Sequence, residues 1–133
     1  MNRIVEKMYH ADAFSQWLGI ERIEERPGFC ILQMLVRPEM VNGFGIAHGA
    51  ITYALADSAL AFASNSQGRK AVSIETSINH LKPVHPGDML RAEAEETSLG
   101  NKIAIYHIKV MRNDDLVAHF KGMVYRKEEE WKV

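Results

Sequence analysis

The apolar positions follow two strand-like rhythms and one stretch with no rhythm at all. Ile20 to Glu25 and Phe29 to Arg37 have strand character. In the second run Cys30, Leu32, Met34 and Val36 alternate with Phe29, Ile31, Gln33 and Leu35. Arg26-Pro27-Gly28 supplies the turn between the two runs, and Pro38 helps end the second. Further on, Val72, Ile74, Thr76, Ile78 and His80 alternate with Ser73, Glu75, Ser77 and Asn79. Leu90, Ala92 and Ala94 alternate with Arg91, Glu93 and Glu95, after a turn at Pro86-Gly87-Asp88. Two more strands are predicted, Ile103 to Met111 and Leu116 to Tyr125, with a break at Leu99-Gly100-Asn101 before them and the turn Arg112-Asn113-Asp114-Asp115 between them. Ahead of all these, Phe14, Trp17 and Leu18 share one face of a short amphipathic helix. The charged tail Arg126 to Lys132 reads as a frayed, solvated end.

The arrhythmic stretch runs from about Ala47 to Ser64 and is apolar or small on nearly every face. A helix hydrophobic all round belongs in a core. Asp57 interrupts it, and a buried carboxylate is costly unless it is paired, hydrogen-bonded or needed for chemistry. The helix is entered through Asn42-Gly43-Phe44-Gly45-Ile46-Ala47-His48-Gly49, a run of small residues and backbone donors. The order is therefore helix, two strands, long apolar helix, four strands. Short connections imply antiparallel neighbours. Six strands facing one apolar helix imply a curved sheet wrapped around it, which leaves open edges and an uncovered helix face. Pairing of two copies buries both.

Bulk composition narrows the function classes. The chain has 133 residues, 47% of them hydrophobic and 25% charged, and is read as one domain spanning residues 1–133. A net charge of −1 offers no basic face for nucleic acid. The single cysteine, Cys30, rules out an internal disulfide and reads as a small apolar strand residue in a reducing compartment. The N-terminal residues contain no apolar run of signal-peptide type and no segment has transmembrane length, so the expected location is cytoplasmic, away from membranes.

Asn42, His48-Gly49-Ala50, Leu55-Ala56-Asp57-Ser58 and Ala63-Ser64-Asn65-Ser66-Gln67-Gly68 together resemble the PaaI-type acyl-CoA thioesterases of the hotdog fold. Asn79-His80-Leu81-Lys82-Pro83 and Pro86-Gly87-Asp88 extend the likeness, which covers about Asn42 to Tyr125. It implies an α+β hotdog fold, a six-stranded antiparallel sheet wrapped around a long central apolar helix. It also implies hydrolysis of aryl-acyl thioesters such as phenylacetyl-CoA, or of medium-chain acyl-CoAs, by a homodimer or homotetramer that needs no cofactor beyond the coenzyme A of its substrate. Ala50 departs from the family, which more often has a second glycine there; its methyl narrows the space near the helix start but removes no donor.

Thioester hydrolysis needs a polarised carbonyl and an oxygen nucleophile. The first turn of a helix supplies unpaired N–H groups at the positive end of the macrodipole. Gly49 admits a carbonyl without an obstructing side chain, and one oxyanion donor is typically worth about 3–4 kcal/mol. Asp57, eight residues on, lies about 12 Å down the same helix at 1.5 Å per residue. The family's solution, implied by the resemblance, is to face Asp57 of one subunit with Gly49 of its partner. Asp57 is then general base or nucleophile; the sequence leaves both open. His48 is assigned to the loop or the thioester, and Asn42 to the water or the carboxylate. Ala50, Ser58, Lys82, Pro83 and Arg91 are assigned to substrate, with Arg69 and Lys70 as further candidates for the coenzyme A phosphates.

Simpler readings accompany each residue. Asp57 could cap a backbone or pair with an arginine, His48 could cap the helix, and Asn42 could serve its turn alone. The six histidines show no His-x-x-x-His pair and no cysteine neighbours, so no metal is expected. No Gly-x-Ser-x-Gly elbow and no dinucleotide fingerprint occurs. Two alternatives on the same fold are a non-catalytic acyl-CoA-binding or sensing module and an enoyl-CoA hydratase. Phe62 stands where the hydratase pattern would place its histidine.

Overall fold

The computed structural model describes residues 1–133. Its elements are α1 (Arg3–Ala11), α2 (Ala13–Trp17), β1 (Glu21–Arg26), β2 (Phe29–Leu35), a 3-10 turn (Pro38–Met40), α3 (Gly49–Asn65), β3 (Arg69–His80), β4 (Met89–Leu99), β5 (Ile103–Arg112) and β6 (Asp115–Glu130). The six strands form one antiparallel sheet in the order β1-β2-β4-β5-β6-β3. The hairpins β1-β2, β4-β5 and β5-β6 follow the expected turns. β3, reached only after α3, pairs with β6 and leaves its other edge open.

α3 crosses the concave face of the sheet. Ile51, Leu55, Ala59, Leu60, Phe62 and Ala63 are buried against alternate residues of β2, β4, β5 and β6, among them Leu32, Leu90, Ile108 and Phe120. Gly122 in β6 makes the close approach possible: a methyl group there would stand 2.4 Å from Leu60 Cδ2. Cys30 lies fully buried in β2, its thiol pushed up to about 12 by burial, as an apolar strand residue should be.

α3 is buried on one side only. Ala54, Asp57, Ser58 and Ala61 remain half-exposed along a second stripe. β3 is exposed over most of its length, including Val72 and Ile74. The uncovered helix face and the open sheet edge anticipated from the sequence are thus both present.

Three expectations are corrected. The apolar face assigned to Phe14, Trp17 and Leu18 buries only Leu18. Phe14 and Trp17 are 56% and 52% exposed and stack on each other, with the Arg37 guanidinium over the Trp17 ring. α2 is only five residues long, too short to aim three side chains at the core. Second, residues 3–11, to which the sequence reading assigns no element, form α1, because the Asn2 side chain accepts from the N–H groups of Ile4 and Val5 and Val5 packs into the core. Third, the tail is not frayed: β6 runs to Glu130, and Trp131 is tied to the body of the protein through Gly68 and Asn65.

Candidate active site

Two cavities open beside α3. One lies over its first turn and the other along its C-terminal half, so the two ends of the helix serve separate spaces.

The first cavity, about 290 Å³, is lined by Asn42, Gly49, Thr52, His80, Lys82 and Pro83 among others. Its geometry starts in the entry loop. Val41 and Ala47 form a bridge, Asn42 Oδ1 accepts from the Phe44 N–H at 2.9 Å, and Gly45 adopts φ +78°, a conformation open to glycine. The loop is fastened by the N–H groups of Ala47 and His48, which donate to Val84 and Met40. His48 then caps the helix, its Nδ1 accepting from the Ala50 N–H at 3.0 Å. This occupies the Ala50 donor and leaves the Gly49 N–H with no partner in the chain. His48 thus has the capping role weighed from the sequence, and the free donor is the one expected at Gly49.

The second cavity, about 350 Å³, has Asp57 in its wall and is otherwise mainly apolar. Asp57 makes no hydrogen bond and no ion pair within the chain, so neither simpler reading of it, a backbone cap or an arginine partner, has a counterpart in the structure. Burial raises its pKa above the usual carboxylate range, and the charge of Asp12 at the start of α2 raises it further. Asp12 is itself fully engaged, accepting from the Ser15 N–H at 2.9 Å and the Ser15 hydroxyl at 2.6 Å. The same serine contacts Ser58 at 2.8 Å, so Ser58 ties α2 to α3.

The remaining assigned residues scatter. Lys82 and Pro83 sit beside Gly49, with Lys82 paired to Asp115 at 2.9 Å. Lys70 lines the Asp57 cavity and is paired to Glu129 at 2.6 Å. Arg69 is spent on the carbonyls of Lys127 and Arg126 and on Asn101. Arg91 lies on the convex side of the sheet, beside Gln33 and Met111, and reaches neither cavity. Its alternation in β4 puts it opposite the core-facing Leu90 and Ala92, which excludes it from a site on the helix side.

His80 carries no assigned role from the sequence, yet it reaches the helix start. Its Nε2 lies 3.2 Å from where a Cβ on Gly49 would stand, so imidazole and helix start are in contact. Alternation puts His80 on the same strand face as Thr76 and Ile78, but nothing local in the sequence sets that face against the helix start. Thr76 bonds the Tyr53 hydroxyl of α3 and Ile78 packs on the core, so the next residue of that parity must also face the helix.

Comparison with known proteins bears on this geometry. Residues 44–119 match the thioesterase superfamily. The acyl-coenzyme A thioesterase PaaI of Escherichia coli is 38% identical over 120 residues, covering 90% of this chain and 86% of that protein. The structure of E. coli PaaI, a protein of the phenylacetic acid degradation operon, superposes with a TM-score of 0.92 at 34% identity, covering 97% of each chain. A variant of phenylacetic acid degradation protein PaaI from Thermus thermophilus gives 0.85 at 36% identity, covering 87% of this chain and all of the other. The sheet wrapped around an apolar helix is thus shared architecture, and the chain belongs to the thioesterase superfamily, with the hotdog fold of PaaI.

Proposed function

We propose that the protein hydrolyses acyl-CoA thioesters to the free acid and coenzyme A, with the reacting carbonyl held between two subunits. The observation that carries this reading is Asp57: a half-buried carboxylate without a partner, in the wall of an apolar cavity of acyl-group size. Kinship with an acyl-coenzyme A thioesterase supports the substrate class.

Within one chain the acid and the free Gly49 donor belong to different cavities. In the proposed homodimer the open edge of β3 and the half-exposed stripe of α3 meet their counterparts, and Asp57 faces the partner's Gly49. The Gly49 N–H and the positive end of α3 then polarise the thioester carbonyl. Asp57 takes a proton from water as the C–O bond forms, the negative charge collects on the oxygen held by Gly49, and the C–S bond breaks to release the coenzyme A thiolate, which takes up the proton. The same placement serves direct attack by the carboxylate, which breaks the C–S bond, expels the coenzyme A thiolate and forms a mixed anhydride that water then opens. Asn42 keeps its amide NH₂ free for the carbonyl or the water, because only its oxygen is used in the turn. His80 contributes a ring nitrogen beside Gly49, and Lys82 a cation on the rim of the same cavity for the coenzyme A phosphates. The chemistry needs no cofactor. The hydratase alternative lacks its second group, since Phe62 is fully buried in the core.

The test is thiol release from phenylacetyl-, benzoyl- and hexanoyl-CoA by wild type beside Asp57→Asn. Turnover by wild type alone is expected. Equal turnover by both proteins overturns the assignment of Asp57, and tight acyl-CoA binding without turnover by either moves the protein to the binding-module reading.

A further inference from the structure

The Asp57 cavity has a floor supplied by the tail. Leu60, Ala61, Ala71, Val72 and Val124 form its apolar walls, and Trp131 lines it at the end of α3 remote from Gly49. The indole is held firmly. Its backbone N–H donates to Gly68 O at 2.8 Å, its Nε1 donates to Asn65 Oδ1 at 2.8 Å, and Lys70 Nζ lies 5.1 Å from the ring centroid. Asn65 is buried and uses its whole side chain in the clamp. Its oxygen also accepts from the Ala71 N–H, and its NH₂ donates to the carbonyls of Ala61 and Ala71. One buried amide therefore joins the last turn of α3, the start of β3 and the ring of Trp131.

From this we infer that Trp131 is the end-stop of the acyl pocket and sets the longest acyl group the protein accepts. The inference rests on the proposed thioesterase reading. Asp57 and Asn65 are eight residues apart, so the slot runs about 12 Å along α3 from the carboxylate to the residue that holds the indole. That length takes a phenylacetyl group or an extended medium chain and stops a long one. Asp57 apart, the charged groups lining the slot are Lys70, already paired to Glu129, and Lys127. The acyl class is accordingly apolar, without a charged far end.

The experiment measures kcat/KM by thiol release over straight-chain acyl-CoAs from acetyl to tetradecanoyl, with phenylacetyl-CoA, for wild type, Trp131→Ala, Trp131→Leu and Trp131→Phe. Wild type should lose activity abruptly beyond one chain length. Trp131→Ala should move that limit to longer chains, gaining about fourfold in kcat/KM for each newly accommodated methylene. Trp131→Leu, which keeps apolar packing if the alanine variant fails to fold, should move the limit less. Trp131→Phe, which keeps a ring without the Asn65 bond, should hold it near wild type. A wild-type length profile retained by both Trp131→Ala and Trp131→Leu, or by Trp131→Leu alone if the alanine variant does not fold, overturns the end-stop and leaves the thioesterase reading intact. No thiol release from any thioester by wild type overturns both.

Discussion

In the proposed reading, the start and the middle of α3 offer opposite halves of one reaction. At the start, a loop pinned by backbone bonds and capped by His48 presents an uncommitted N–H at Gly49 in a cavity rimmed by Lys82 and His80. In the middle, Asp57 presents an uncommitted carboxylate in a mainly apolar cavity. The first half is polar, built from main chain and set by local turn chemistry. The second is a single side chain whose properties come from what surrounds it. A helix can carry both, but its rise keeps them about 12 Å apart. In the proposed reading a second copy brings the halves together at one carbonyl.

The largest expected effect breaks the acid half. Asp57→Asn should lower kcat by about 10²–10⁴-fold, the usual contribution of a positioned base, with the fold retained by circular dichroism. The wild-type rate should fall on acidification through a pKa above the ordinary carboxylate range, because burial and the charge of Asp12 both disfavour the ionised form.

Breaking the donor half needs a substitution that removes only the N–H. Gly49 is the first residue of α3, where proline fits, and His48 at φ −59°, ψ 138° already has the backbone a pre-proline residue requires. Gly49→Ala serves as the control, since either side chain meets His80. Gly49→Pro should be about 10²–10³-fold slower than Gly49→Ala, as for loss of one oxyanion donor. Mixing the two inactive proteins sharpens the comparison. In a two-fold dimer, one Asp57→Asn subunit and one Gly49→Pro subunit leave one site wholly intact, so remixing should restore about a quarter of wild-type activity. No recovery after verified subunit exchange would place both halves in one chain.

A smaller effect tests the seat of the helix that carries both halves. Gly122→Ala drives a methyl into Leu60 and should cost about 1–3 kcal/mol in denaturant unfolding, as overpacking does.

The smallest effect concerns stability and pH. A carboxylate whose folded pKa is raised lends stability that is fully present below its unfolded pKa and is lost as pH rises through the folded value. Asp57→Asn removes that loss. The variant should match wild type in Tm at acid pH and exceed it near neutrality. A lower Tm at neutral pH would mean that the carboxylate holds the fold together after all.

Much of the fold was legible from pattern alone. Alternation marked β2 and β4 because each has one face on the core, turn residues bounded β5 and β6, and α3 was legible because no other element tolerates seventeen nearly all-apolar or small residues. Asp57 and Gly49 could be singled out as candidates because each stands out locally, one as a charge in an apolar helix, the other as an open position at its start. His80 and Trp131 were missed for a different reason. Their neighbours in sequence are ordinary, and their importance comes from Gly49 and Asn65, which lie 31 and 66 residues away. Arg91 was misplaced because a positive charge marks solvent exposure and not the side of the sheet.

Local sequence, then, determined the identity of the elements, the cap on α3, its free donor and the presence of one acid without an obvious partner. These depend on side-chain period and backbone geometry, which act over a few residues. Tertiary structure alone decided which charges reach a cavity, that the tail returns to close the space beside Asp57, and that donor and acid fall into separate cavities. Those properties come from long-range packing, where the position of a side chain is set by strands and helices that the chain reaches only much later.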